Sequence, residues 1–144
     1  MVPSPAVVTT VAVSICSLTA AAIDFRTRTV PNALTGAAAA AGVAMALTGT
    51  GQVGIAGAIL GGVIGLTLML PGYLFGATGG GDVKLLAAVG TFLGPDRVLL
   101  AFFGMAIGGG LLALATAVAR RSFFNQTFAY APAIAIGALF AVFK

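Results

Sequence analysis

Apolar residues fill most of the chain, in long runs that are separated by short stretches of charged and turn-forming residues. A bilayer core about 30 Å thick requires roughly 20 apolar residues per helix, and the interruptions divide this chain into about six such runs. The predicted helices lie near residues 5–24, 33–48, 53–75, 83–94, 98–119 and 128–143. Because the fourth run is short, it predicts either a partial span or a helix that the preceding glycine-rich segment lengthens.

The composition indicates whether these helices lie in a membrane or in water. Of the 144 residues, 60% are hydrophobic and 7% are charged, which leaves too little polar surface to cover a soluble globule. The sequence therefore predicts an all-α polytopic membrane protein, in which residues 1–144 form a single integral-membrane domain within the lipid bilayer.

Charged and metal-binding residue types are sparse, which narrows the range of partners. The net charge of +4 comes from seven scattered Lys and Arg residues, with no basic cluster beyond Arg120 and Arg121, so we expect no nucleic-acid binding. The chain has one cysteine, Cys16, and no histidine, so it offers neither an internal disulfide nor a Cys/His zinc set. We expect no metal and no cofactor.

The cations are distributed unevenly between the two ends of the predicted helices. Six spans place both chain termini on one side, and five of the seven cations then lie on the opposite face: Arg26, Arg28, Lys84, Arg120 and Arg121. Only Arg97 and Lys144 lie on the face that carries the termini. By the positive-inside bias, the face with five cations is predicted to be cytoplasmic.

Glycines recur at four-residue intervals in two of the predicted helices. Gly57, Gly61 and Gly65 share one face of the third helix, and Gly104 and Gly108 repeat the spacing in the fifth. Small residues at this interval let helix backbones approach closely in lipid. We therefore predict packing seams at these glycines, with no direct role in chemistry.

Three acidic residues, Asp24, Asp82 and Asp96, are the candidates for chemistry. Asp96 lies in a turn before the fifth helix, where an aspartate can cap the helix N-terminus, so we predict a structural role. Asp82 follows glycines at the start of the fourth helix. A structural role as a helix cap and a functional role are equally compatible with this position. Asp24 ends the first helix, where the helix dipole disfavours a carboxylate, and an ionisable group near membrane depth is a functional candidate. Arg26 and Arg28 could pair with it, although both can also face lipid headgroups.

The predicted topology places Asp24 and Asp82 at similar depth, since the first helix ends and the fourth begins at the cytoplasmic face. Two carboxylates close together in a poorly solvated site cannot both ionise easily, so one keeps its proton. The pair then supplies a general base to activate water and a general acid to protonate a leaving amine, as in an aspartic protease. Without histidine, Ser-His and Cys-His mechanisms are excluded. The glycines at 79, 80 and 81 lack side chains, so they allow another chain's backbone to approach Asp82 closely.

Two motifs resemble the catalytic segments of a known family. The segment "GGGD" at Gly79–Asp82 resembles the G-x-G-D signature of intramembrane aspartyl proteases, and its continuation "VKLL" is typical of type IV prepilin peptidases. The segment "IDFRTRTVPN" at Ile23–Asn32 resembles their other catalytic segment, an Asp followed by a basic stretch and a Pro-Asn pair. The tail "YAPAIAIGAL" at Tyr130–Leu139 is similar to the final helix of that family. The resemblance covers essentially the whole chain.

This resemblance implies that Asp24 and Asp82 are the catalytic pair. It also implies a set of substrate-binding or site-shaping residues: Gly79, Gly80, Gly81, Lys84, Pro31 and Asn32. The implied substrate is a prepilin or pilin-like protein, whose short basic leader is removed after a glycine. Cleavage is implied at the cytoplasmic face of the bacterial inner membrane, with this protein as a multi-pass component.

The larger members of that family carry an N-terminal cytoplasmic region with paired cysteines, and they also methylate the new N-terminus with S-adenosylmethionine. This chain shows no such region and has only Cys16. It therefore resembles the short peptidases of Flp/Tad-type pilus systems, and we expect no methyltransferase activity.

A small proton-coupled transporter or channel subunit is the alternative from another class. Asp24 and Asp82 would then form a proton relay, and the glycine-rich break before Asp82 would line a water-filled path. A neighbouring gene for a short protein with a basic leader, a glycine and an apolar helix would favour the peptidase.

Overall fold

The structure, a computed structural model, describes residues 3–27, 29–120 and 131–142. These residues contain no strand and form five helices: α1 (Pro5–Thr27), α2 (Asn32–Thr48), α3 (Ile55–Leu74), α4 (Gly80–Arg120) and α5 (Ala131–Val142). A break divides α4 into α4a (residues 80–93) and α4b (residues 95–120). The all-α prediction is confirmed for the described residues, and the first five predicted segments agree with the observed ones to within three residues at each end. The predicted ends of the sixth segment, residues 128 and 143, lie outside the described residues.

The break in α4 lies at Gly94, whose φ of 76° and ψ of −178° belong to a region that is essentially restricted to glycine. Pro95 follows, and proline suits the first turn of a helix because its φ is fixed there and its missing N–H would have no partner. The predicted turn before the fifth helix is therefore a direct junction between two helices. Asp96 lies exposed in the first turn of α4b, where the helix dipole favours a carboxylate.

The first helix does not end at Asp24, as the sequence predicts, but continues to Thr27. The Thr27 hydroxyl donates a 2.9 Å hydrogen bond to the Ile23 carbonyl oxygen, one turn back in the helix. Arg26 in the last turn also suits the negative end of the helix dipole. Asp24 consequently lies within the last turn of α1.

The most buried part of the molecule is α4a. Leu85, Leu86 and Val89 are at most 1% exposed. Helices α2 and α3 pack against α4a, whereas α5 packs between α4b and α1. Helix α4a is thus held in place from several sides.

Three of the described helical spans are long and apolar enough to cross a membrane: Pro5–Thr27, Ile55–Leu74 and Gly80–Leu111. The segments Asn32–Thr48 and Pro132–Val142 are shorter apolar helices. Large apolar side chains are exposed along the outward faces of α1, α3 and α4b, which suits contact with lipid. The protein is a polytopic membrane protein.

The predicted glycine seams are confirmed at Gly61, Gly65 and Gly104, whereas a Cβ atom on Gly57 would meet only the side chain of Val53, which lies in the connection before α3. A Cβ atom on Gly65 would lie 2.6 Å from the carbonyl oxygen of Leu86, and Gly61 meets the α4a backbone in the same way. A Cβ atom on Gly104 would lie 3.0 Å from the Cα atom of Gly137 in α5. At these positions helix backbones pack directly against one another.

The helices run up and down the bundle, so the connections gather at two ends. At one end the backbone N–H of Gln52 donates a 3.2 Å hydrogen bond to Thr9 Oγ1, and the Arg97 guanidinium donates to the side-chain oxygen of Gln52. The opposite end carries the α1–α2 and α3–α4 connections together with Asp24 and Asp82, and is called the dyad end below. The prediction that Arg97 lies on the face opposite both aspartates is confirmed.

Candidate active site

Asp24 and Asp82 meet at the dyad end, although they belong to different helices. Asp24 lies on the buried face of α1 and is 5% exposed, and Asp82 lies in the first turn of α4a and is 7% exposed. The two carboxyl groups are close enough to interact directly through their charges. The structure thus brings together the two carboxylates that the sequence places at similar depth. Such a pair, largely withdrawn from solvent, can share one proton.

Asp82 also caps its own helix. Its carboxylate accepts a hydrogen bond from the backbone N–H of Gly79, the residue immediately before α4. Asp82 is the third residue of the helix, so this contact is the acidic half of a capping box. A Cβ atom on Gly79 would lie 3.3 Å from Asp82 Oδ2. A carboxylate has two acceptor oxygens, so one oxygen can accept the capping hydrogen bond while the other takes part in a second interaction.

The other two glycines of the segment contact residues of this same chain. A Cβ atom on Gly81 would lie 3.0 Å from the Cβ atom of Val30 and 3.2 Å from its carbonyl oxygen. Val30 is 8% exposed and belongs to the core. A Cβ atom on Gly80 would lie 3.3 Å from the ring of Tyr73. The backbone that approaches Gly81 therefore belongs to the α1–α2 connection of this chain. The sequence analysis predicts instead that the backbone of another chain approaches these glycines.

A hydrogen bond also joins the two motif segments. Lys84 Nζ donates to Asn32 Oδ1 at 2.9 Å, and both side chains are exposed. Pro31 precedes α2 in an extended conformation, and its carbonyl oxygen accepts hydrogen bonds from the N–H groups of Leu34 and Thr35. All six residues that the resemblance implies as site-shaping therefore lie in two segments at the dyad end, and those segments are in contact.

Comparison with known proteins identifies the family of the chain. The model of the type IV leader peptidase family matches residues 11–114, a stretch that includes both aspartates. The chain belongs to the type IV leader peptidase family. A prepilin leader peptidase/N-methyltransferase from Bacillus subtilis (strain 168) is 39% identical over 66 residues, which make up 46% of this chain. The aligned part covers 27% of that relative's length. No solved structure matches the chain.

Four residues singled out from the sequence lie outside the described part of the chain: Arg28, Arg121, Tyr130 and Lys144. The family match ends at residue 114, so the likeness of the tail to the family's final helix stays a prediction.

The sequence analysis did not identify several residues near the motifs, because these residues belong to no recognisable pattern. Val30 lies within the second motif, but no spacing gives it a role, and the same holds for Tyr73 and Thr78 outside the motifs. Thr78 stands directly before the glycines in "GATGGGD", and a polar residue next to a family motif was the signal available for it.

Proposed function

We propose that the protein is a membrane aspartyl endopeptidase that removes the leader peptide from prepilins or pilin-like proteins. The observation that carries this proposal is the buried carboxyl pair of Asp24 and Asp82, which lies within the family match. The Bacillus subtilis relative is a prepilin leader peptidase, which supports the substrate class.

In the proposed mechanism one aspartate is ionised and the other is protonated, because two interacting carboxylates resist simultaneous ionisation. The ionised carboxylate takes a proton from a water molecule, whose oxygen bonds to the scissile carbonyl carbon. The protonated carboxyl group gives its proton to the leaving amine as the carbon–nitrogen bond breaks. The two carboxyl groups have then exchanged roles, and one proton remains on the pair.

We place the dyad end at the cytoplasmic face of the bacterial inner membrane. Arg26 and Lys84 lie at this end, whereas Arg97 lies at the other, and the positive-inside bias favours this orientation. A prepilin leader is basic, so it complements the two carboxyl groups electrostatically.

A proton relay across the bilayer receives less support. Such a relay needs ionisable groups spaced through the membrane. Among the residues that the structure describes, the buried carboxyl groups both lie at the dyad end. This grouping favours chemistry at one membrane face.

Co-expression with a candidate prepilin tests the proposal. The precursor should carry a basic leader, a glycine and an apolar segment, and we expect a shortened product on a gel, with N-terminal sequencing placing the cut after the glycine. A precursor that stays full-length while the protein is present in the membrane fraction would contradict the proposed activity.

A further inference from the structure

Three aromatic side chains are exposed at the dyad end. Phe25 lies in the last turn of α1 and is 82% exposed. Tyr73, in the last turn of α3, is 50% exposed, and Phe75, directly after that helix, is 88% exposed. Large rings gain free energy when they are withdrawn from water, so their exposure here indicates a surface that contacts something other than water. We call these three residues the aromatic surface.

The aromatic surface lies at the level of the carboxyl pair. Phe25 directly follows Asp24, so their Cα atoms differ by only about 1.5 Å in height along α1. A Cβ atom on Gly80 would lie 3.3 Å from the Tyr73 ring, and Gly80 begins the turn that carries Asp82. Because Asp24 and Asp82 interact, the rings of Phe25 and Tyr73 lie at similar heights in the bundle.

On α3 the aromatic surface continues the side of the helix that faces lipid. Val63, Leu66 and Leu70 are exposed at intervals of three and four residues. Tyr73 takes the next position of this stripe. The 20 residues of α3 make it about 30 Å long, which matches the thickness of the hydrocarbon core. The last turn of α3 therefore lies where acyl chains give way to headgroups.

The end of α1 shows the order of side chains that this boundary favours. Leu18 is exposed in the apolar part of the helix, and Phe25 is followed by the exposed Arg26 and Thr27. Aromatic rings suit the headgroup–acyl boundary, and an adjacent cation can reach anionic headgroups. A lipid boundary explains both this order and the length of α3, whereas a protein partner would explain neither.

We propose that Phe25, Tyr73 and Phe75 bind the boundary between lipid headgroups and acyl chains, and that this contact places the carboxyl pair within about one helical turn of the headgroups. Tyr73 suits this layer because its ring is apolar and its hydroxyl is polar. The inference concerns the depth of the pair in the membrane, and it does not rest on the proposed peptidase function. At this depth, water for a hydrolytic reaction is nearby.

Tryptophan fluorescence tests the proposed depth, because the chain contains no tryptophan and each substitution introduces a single probe. Phe25→Trp and Phe75→Trp are compared with Val63→Trp, near the middle of α3. All three native side chains are exposed, so the larger ring does not disturb the core. The variants are reconstituted in phosphatidylcholine–phosphatidylglycerol vesicles whose acyl chains carry bromine either close to the headgroup or near the bilayer centre. The measured quantity is the ratio of quenching by shallow bromine to quenching by deep bromine.

We expect this ratio to exceed one for Phe25→Trp and Phe75→Trp, and to fall below one for Val63→Trp. Quenching of either aromatic-surface probe by aqueous iodide, as strong as for a free tryptophan analogue in buffer, would place the ring in water and overturn the inference. Protection from both bromine and iodide would also overturn it, because a protein surface such as a second copy of the chain would then cover the rings. The assay contains no substrate, so these outcomes are independent of prepilin cleavage, which tests the peptidase proposal separately.

Discussion

At the scale of single residues, Asp82 combines two roles that sequence reasoning treats as alternatives. Its carboxylate caps α4 through the N–H of Gly79 and also interacts with Asp24. The cap holds the carboxyl group in place at the helix start, where the dipole favours its charge. Capping and catalysis are therefore compatible, and substitution with asparagine separates them.

We predict that Asp24→Asn and Asp82→Asn each abolish prepilin cleavage at normal protein levels. Asparagine keeps an acceptor oxygen for the cap but cannot act as a general acid or base, a contribution of about 10²–10⁴-fold. The double variant should be no worse than either single one, because residues that act as a unit give non-additive losses. Processing is measured on a gel after co-expression.

Asp96→Asn is the control for these variants. Asp96 is exposed at the opposite end of the bundle, so this variant should remain active. Substantial processing by Asp24→Asn or Asp82→Asn would defeat the assignment of the catalytic pair.

Gly81→Val should reduce both stability and cleavage. The added side chain would press on Val30, whose Cβ atom and carbonyl oxygen lie 3.0 and 3.2 Å from the position that a Cβ atom on Gly81 would take. Overpacking of this kind costs about 1–3 kcal/mol and would displace the α1–α2 connection from Asp82. Thermal unfolding in detergent and prepilin cleavage are the two measurements.

Gly54→Val serves as the matched control for that substitution. Gly54 has an extended backbone, with φ −78° and ψ 176°, and a Cβ atom there meets nothing within 4 Å. Equal tolerance of valine at both positions would show that the contact between Gly81 and Val30 is unimportant.

At the scale of elements, the hydrogen bond between Lys84 and Asn32 ties α4a to the start of α2. Both side chains are exposed, so the bond contributes at most about 1 kcal/mol. Its effect on the fold is therefore small, but it directly joins the two motif segments that carry Asp24 and Asp82.

We expect Lys84→Met and Asn32→Leu to slow cleavage by a similar factor of at most about fivefold, as a loss of about 1 kcal/mol implies. If each acts through the other, the double variant should be no slower than either single one. Asn32→Asp should retain activity because it keeps an acceptor for Lys84. Fully additive losses in kcat/KM would show that the two side chains act independently.

At the scale of the whole molecule, the proposed function requires the dyad end to lie at the cytoplasmic face of the membrane. Single cysteines at Thr27, Ala77 and Thr50 report on this placement in a Cys16→Ser background, and all three native residues are exposed. Thr27 and Ala77 lie at the dyad end, and Thr50 lies at the other.

Cysteines at Thr27 and Ala77 should resist a membrane-impermeant thiol reagent in intact cells and react after lysis. A cysteine at Thr50 should react in intact cells. The reverse labelling pattern would place the carboxyl pair outside the cytoplasm and remove the geometric basis of the proposed peptidase activity.

Much of the architecture follows from the order of residues along the chain. Runs of apolar residues and their interruptions determine the helices to within a few residues, because a segment in lipid must satisfy its backbone hydrogen bonds internally and so becomes helical. The alternation of these helices also determines that Asp24 and Asp82 share one end, and the four-residue glycine spacing predicts the seams at Gly61, Gly65 and Gly104. Apolar runs, helix order and residue spacing are local or periodic properties, which can be read directly from the sequence.

Other features depended on contacts between distant residues and emerged only in the tertiary structure. These are the approach of Val30 to Gly81 and the hydrogen bond between Lys84 and Asn32. No period or spacing encodes them, because each depends on how closely two helices pack and on which side chains then face each other. The sequence by itself determined which carboxylates are available and at which end they lie, whereas tertiary packing decided that they meet and what surrounds them.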